Sequence, residues 1–354
     1  MKTLERQISV ATRLRPAIRR GIQPKAISMS QETLVKAATL QPDSLLPLVV
    51  EPAVNNLNLI EWAKNNHEFI ESKLMKHGAI LFRNFNLKTV TDFEAFTVAA
   101  SGELIPYRER SSPRHEVGER VYTSTDYPED QKIFPHNEHS YSRKIPLKLF
   151  FFCRIPAQQG GQTPIADTRR IFERISPQTR AKFIEKKWQY VRNFGNGFGL
   201  PWQTVFQTED KSVVEEYCRN AAIEVEWLDG NRLRTRQVRP AIARHPRTGE
   251  QVWFNHATFF NVSTLEPTMR SVLLSEFKDE DLPNNTYYGD GSPIEPEVLD
   301  ELRAAYVDEL ITFEWQQGDV VLIDNMLTAH SRNSYIGPRE ILFAMADQFT
   351  RDDI

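Results

Sequence analysis

The chain predicts a mainly β protein with helices, built as a jelly roll in which two antiparallel sheets face one another and helices pack outside. Three observations lead there. Apolar and aromatic runs over 147–153, 320–323 and 339–345 read as strands. Turn pairs, Gly318-Asp319 and Gly337-Pro338, stand directly before the second and third of these runs. Finally, His136 and Glu138 lie too far from His330 for any local motif to join them, a separation that a sandwich of sheets bridges readily.

Taken in order, residues 58–77 carry Leu59, Trp62, Phe69 and Leu74 at helical spacing, and 79–83 read as a strand. Residues 91–100 predict a helix, with Thr91 and Glu94 as its capping box. In an extended strand the side chains at i and i+2 leave the same face, so His136 and Glu138 point together while Asn137 points away. Gly160-Gly161 allow a tight approach before Thr163, and Ile165-Ala166 resume a strand. Helices are predicted over 176–184, with Pro177 at the first helical position, and over 211–222, 264–277 and 296–310. This stretch between Thr163 and His330 exceeds what a minimal barrel needs, and reads as a lid and substrate pocket. Two neighbouring antiparallel strands then carry His330 and Arg339 into one cavity.

Two imidazoles and a carboxylate on one side of an octahedral ion leave three positions open, the arrangement used by non-haem Fe(II) oxygenases. Arg339 offers a permanently charged fork for the far carboxylate of a dicarboxylate co-substrate. Arg332, two residues from His330, is its rival. His139 is expected on the opposite side of the strand as a structural histidine, and His256 either lines the pocket or bonds within a strand. Asp324-Asn325 reads as a turn bonding its own backbone. Residues 288–292 read as a turn or pocket-lining loop, since the context of a phosphate loop is missing.

The stretches Phe134-Pro-His-Asn-Glu-His-Ser-Tyr-Ser142, Gly160-Gly-Gln-Thr-Pro-Ile-Ala-Asp167 and Asp324-Asn-Met-Leu-Thr-Ala-His330, with Gly337-Pro-Arg339, resemble the taurine dioxygenase (TauD/TfdA) family. Within it they are most similar to the SyrP-like, aspartyl hydroxylase-like branch. The resemblance spans residues 45–350 and implies a double-stranded β-helix core of the clavaminate synthase-like type with helical insertions. It implies Fe(II) held by His136, Glu138 and His330, with no catalytic residue beyond the metal centre. It also implies 2-oxoglutarate whose distal carboxylate meets Arg339 and the hydroxyl of Thr163, and O2 as co-substrate. Many relatives have Asp where this chain has Glu138, which keeps charge and donor type and argues against halogenation.

The implied reaction is hydroxylation of an aliphatic C–H of an amino acid or amino-acid derivative, free or tethered to a peptidyl carrier protein, in natural-product or antibiotic biosynthesis. Desaturation or epoxidation is the alternative within the family. A non-catalytic jelly-roll metal- or ligand-binding protein is the alternative outside it. Arg192, Arg234, Arg236 and Arg239, with Glu209 and Asp210, are candidates to pair with a zwitterionic substrate.

Composition agrees with one large catalytic domain, 31–354, preceded by a basic arm, 1–30, in which seven Lys and Arg face the single acid Glu5. The arm is expected to help dock an acidic carrier domain. A net charge of −3 without blocks of like charge speaks against a nucleic-acid groove. The chain has no long apolar run and no signal-peptide core, so neither membrane insertion nor export is expected. Two cysteines, Cys153 and Cys218, cannot build a metal cluster by themselves, and the natural setting is a reduced cytoplasm.

Overall fold

The strand Lys144–Ile155 is the axis of the molecule, pairing with Val320–Asp324 on one edge and Glu340–Thr350 on the other, both antiparallel. The computed structural model describes residues 34–42, 44–106 and 114–351; the basic arm, 1–30, lies outside the described residues. Among these, eight strands join in the order Val35–Thr39, Leu48–Pro52, Ala79–Phe82, Val320–Asp324, Lys144–Ile155, Glu340–Thr350, Val121–Thr123, Glu116–Gly118. One pair in it, Leu48–Pro52 with Ala79–Phe82, is parallel.

Alternation along these strands divides their side chains between two cores. Phe150, Phe152, Val320, Leu322 and Leu342 pack with Leu59, Trp62, Ile70, Leu74, Phe93 and Phe96 of the helices Leu59–Asn65, His67–His77 and Val90–Ser101. Leu149, Phe151, Cys153, Val321, Ile323, Ile341 and Phe343 leave the opposite face and pack with Ile165, Phe313 and Trp315. A sheet covered on both sides has no polar face, so its strands read as unbroken apolar runs. The facing layer is a three-stranded sheet, Ile133–His136, Thr328–Arg332, Ile165–Asp167. This is the predicted jelly roll.

The long insertion after Ile165–Asp167 builds a four-stranded sheet, in the order Glu224–Leu228, Arg232–Arg239, Trp188–Phe194, Asn284–Tyr288. It has a core of its own around Phe194, Trp202, Val205, Val214, Cys218 and Leu233. Both cysteines are buried, and neither is in a disulfide among the described residues. No helix among the described residues is long and apolar enough to cross a membrane.

Several boundaries differ from those the sequence predicts. The helix expected over 58–77 is two helices that meet at Asn66, whose side chain turns back to donate to the carbonyl of Trp62 at 2.7 Å. The capping box is Thr89 with Asp92 rather than Thr91 with Glu94, so this helix begins at Val90. The helix expected over 264–277 is shorter, Pro267–Glu276, because Glu266 caps it with its carboxylate and Pro267 opens it. Pro177–Lys186, Lys211–Asn220 and Pro296–Asp308 start within one residue of expectation, the first two capped by Ser176 and Asp210.

Phe150 is fully buried where sheet and helices meet, edge-on to Phe96. Phe150→Ala is expected to cost about 3–5 kcal/mol in urea unfolding, and Thr89→Ala, which removes a cap, about 1 kcal/mol.

Candidate metal centre and its cavities

His136 and His330 meet through strand pairing. They are register partners on adjacent antiparallel strands, and their ring centroids stand 4.4 Å apart. Nδ1 of His136 donates to the carbonyl of Phe134 at 2.9 Å, which leaves Nε2 with its lone pair outward. Glu138 arrives differently from the prediction. The strand ends at His136, and Glu138 lies in the turn that follows. What aims it is the amide of Asn325, which is fully buried. Its Oδ1 accepts from the backbone N–H of Glu138 at 2.8 Å, while its Nδ2 donates to the carbonyls of Glu138 and Pro146, each at 2.8 Å. Asn137 turns away and donates to the carbonyl of Asn325 at 2.7 Å.

One donor atom each from His136, Glu138 and His330 lies within 4.8 Å of the others. Burial pushes His136 below its ordinary value, although Glu138 and the Phe134 carbonyl oppose the shift. Burial pushes His330 well below, helped by His136 and Arg114. Both imidazoles are therefore neutral at pH 7 and keep a lone pair to give. Burial alone raises Glu138, but Arg114, then His139 and His136, outweigh it and hold the carboxyl below its usual range. Nδ1 of His330 is buried with no hydrogen-bond partner among the described residues. Two neutral imidazoles, one of them with a buried ring nitrogen lacking a hydrogen-bond partner, and an ionised carboxylate are donors that suit a divalent transition metal.

Two spaces open beside this cluster. The larger, of about 500 Å³, is walled by Phe134, His136, Glu138, His256, Phe259 and Phe260. Such a volume suits a small molecule. The insertion between Thr163 and His330 gives part of its wall, through residues such as His256, Phe259, Phe260 and Leu265, while most of the lining comes from residues 114–138. His256 both lines this space and hydrogen-bonds, through Nδ1, to the hydroxyl of Ser140. Its ring stacks on Phe260 at 4.6 Å.

The narrower space is lined by His136, His330, Thr163, Ser124, Arg332 and Arg339. Arg339 stands just before the strand Glu340–Thr350 of the large sheet rather than opening it, while His330 is on the three-stranded sheet, so the two meet across this space and not on the neighbouring strands that were expected. Nε of Arg339 donates to the carbonyl of Gly161 at 2.8 Å. Burial and the nearby Arg332 lower Arg339 to about 10, so it stays charged at pH 7. The hydroxyl of Thr163 accepts from the indole of Trp315 at 3.1 Å.

Arg332 is occupied elsewhere. It donates to the carbonyls of Tyr127 at 3.0 Å, Pro128 at 2.5 Å and Gln131 at 2.8 Å, and so holds a loop that walls the larger cavity. His139 does not face away from Glu138 as expected, because it lies in the same turn rather than on the strand, with a φ of 56°. Its Nε2 is 3.6 Å from Oε1 of Glu138. None of the arginines proposed to meet a zwitterion lines the larger cavity. Arg234 pairs with Asp281, Arg236 with Glu224 and Glu226, and Arg239 bonds the carbonyls of Tyr141 and Ala221. Arg192 lies over Phe194, and Asp210 caps a helix. Sequence reasoning missed Arg114, Asn325 and Trp315. Asn325 at least sits inside a motif that drew notice, whereas nothing near Arg114 marks it.

A family model described as taurine catabolism dioxygenase TauD, TfdA family matches residues 42–345. The chain belongs to that family. It is a 2-oxoglutarate-dependent dioxygenase that uses Fe(II). The dapdiamide synthesis protein DdaC of Enterobacter agglomerans is 39% identical over 282 residues, covering 80% of this chain and 86% of that one. A clavaminate synthase-like protein of Arabidopsis thaliana is 30% identical over 314 residues, covering 86% and 91%. The structure of PvcB from Pseudomonas aeruginosa, described as an Fe, alpha-ketoglutarate dependent oxygenase from an isonitrile synthetic pathway, has a TM-score of 0.55 at 13% identity. It matches over 90% of this chain and 94% of that one, and shows the same fold.

Gly161 has φ +70°, and a Cβ there would stand 2.9 Å from Cδ of Arg339. Gly161→Ala is expected to displace Arg339 and raise the 2-oxoglutarate concentration needed for half-maximal succinate formation by about tenfold, an effect of about 1.4 kcal/mol.

Proposed function

We propose that His136, Glu138 and His330 hold the Fe(II) of this dioxygenase, and that Arg339 and Thr163 receive the distal carboxylate of 2-oxoglutarate in the narrower space. The convergence of the three donor atoms carries the assignment. The substrate enters the larger cavity, which reaches the cluster along His136 and Glu138. We take it to be an amino acid or amino-acid derivative, free or on a peptidyl carrier protein, that is hydroxylated at an aliphatic C–H in natural-product biosynthesis. Similarity to DdaC, a dapdiamide synthesis protein, supports the biosynthetic setting. Residues 31–354 form the catalytic domain in this reading. A cytoplasmic location suits its two cysteines, which form no disulfide among the described residues.

The bound iron and 2-oxoglutarate supply the oxidising power that turns O2 on an unactivated C–H bond. The protein's own part is placement. The Phe134 carbonyl fixes the ring of His136, Asn325 fixes the turn of Glu138, and Trp315 orients the hydroxyl of Thr163. Gly161 fixes the fork of Arg339. Phe134, Phe259 and Phe260 give the substrate an apolar wall beside the cluster.

Anaerobic addition of Fe(II) and 2-oxoglutarate should give a weak visible charge-transfer band, and carrier-loaded or free amino acids should gain one oxygen by mass. No band, together with no succinate from any candidate, would instead fit a binding protein. His136→Ala and Glu138→Gln are expected to abolish succinate formation. Arg339→Ala should weaken 2-oxoglutarate binding by about 1.5–3 kcal/mol, the loss of a charged hydrogen bond. Arg332→Ala should chiefly loosen the loop at Tyr127 and raise the substrate KM; if it mimics Arg339→Ala instead, the two roles are reversed.

A further inference from the structure

We propose that Arg114 is a positioning residue for the carboxylate of Glu138, and that the two form a unit matched in length; this rests on the metal assignment above. Glutamate carries one methylene more than aspartate, and hence one more torsion that must be fixed before its carboxylate meets an ion in a single orientation. Asn325 fixes only the backbone end of Glu138. The far end is held by Arg114, whose Nη2 donates to Oε2 at 3.1 Å.

Arg114 is itself well supported. Its guanidinium lies over the ring of Phe343, 4.0 Å from the centroid, and both residues are buried. Phe343 is anchored in turn, with Phe151 as its register partner on one neighbouring strand and Tyr122 on the other. Support thus runs from the large sheet through Phe343 and Arg114 to the ligand carboxylate. Arg114 also borders both cavities, so it stands where a metal, a co-substrate and a substrate would adjoin. An aspartate at position 138 would draw its carboxylate back from this guanidinium, so the longer acid and the arginine suit each other.

The test titrates the full-length apoprotein anaerobically with Co(II), following affinity and the visible absorption of the bound ion, with folding checked by thermal melting of the metal-free protein. Arg114→Met should weaken Co(II) binding by about 10–100-fold and change the absorption spectrum, as is usual when a partner of a metal ligand is lost. Arg114→Lys should recover part of both. Glu138→Asp should weaken binding strongly while Arg114 is present. In the double variant it should add less to the loss that Arg114→Met already causes, because the guanidinium it would have drawn away from is gone. Retention of affinity within about twofold and an unchanged spectrum in Arg114→Met would overturn the proposal. Should that variant fail to fold, unchanged affinity in both Arg114→Lys and Glu138→Asp overturns it equally. A wild-type chain that takes up no Co(II) would overturn the metal assignment itself, an outcome distinct from the others.

Discussion

The chemistry of this molecule depends on one short antiparallel pairing, that of Thr328–Arg332 with Ile133–His136, which places His330 opposite His136. Residues distant in the chain become neighbours only through it, at a loop-closure cost that the surrounding burial must offset. The pairing is braced at its end. Asn325 stands just before the strand of His330 and bonds the backbone of Glu138, so the turn bearing the acid and the strand bearing the second imidazole are tied by the same side chain. A buried amide with its partners in place rigidifies the site, whereas its loss would strand several backbone groups away from water.

The same geometry explains why the large sheet is apolar on both faces. Phe151 on Lys144–Ile155 turns its ring toward His330, at 5.0 Å, while its neighbours Phe150 and Phe152 turn toward the helices. A slip of one residue in register would exchange these faces and present the wrong side chains to the cluster. Two pairings oppose such a slip, since Val320–Asp324 and Glu340–Thr350 grip this strand from both edges. Core packing and site placement are therefore fixed by one alternation.

Much of this was legible in the sequence, because strongly apolar runs and metal-binding residue types announce themselves. The runs around Phe151, Val321 and Phe343 became strands, and the two histidines and the acid came together. What could not be read were partners set by long-range contact. Asp324-Asn325 as a self-bonding turn was half right: Oδ1 of Asp324 does accept from the N–H groups of Met326 and Leu327, but Asn325 spends its amide on residues 138 and 146. Arg114 has no local relation to His136 that a pattern could reveal. The arginines offered to a zwitterion are engaged elsewhere, Arg234 with Asp281 and Arg239 with the Tyr141 carbonyl far along the chain, and Arg236 with Glu224 and Glu226 on the neighbouring strand. Extension of the strand past His136 to Glu138 was mistaken because a tripeptide does not declare where a strand ends.

Arg332 and Arg339 show how little the residue type alone decides. Both border the narrower space and both are charged, yet Arg332 has three backbone carbonyls from the loop at 127–131 as acceptors. A guanidinium so engaged would have to give up these bonds and release that loop to bind a carboxylate. Arg339 is held by the Gly161 carbonyl through Nε, which steadies the fork. Burial, and after it the charge of Arg332, make the charged form of Arg339 costlier. An anion entering this space would offset that cost for Arg339. In the proposed assignment, the arginine that can meet a carboxylate in this space without dismantling a loop is therefore Arg339.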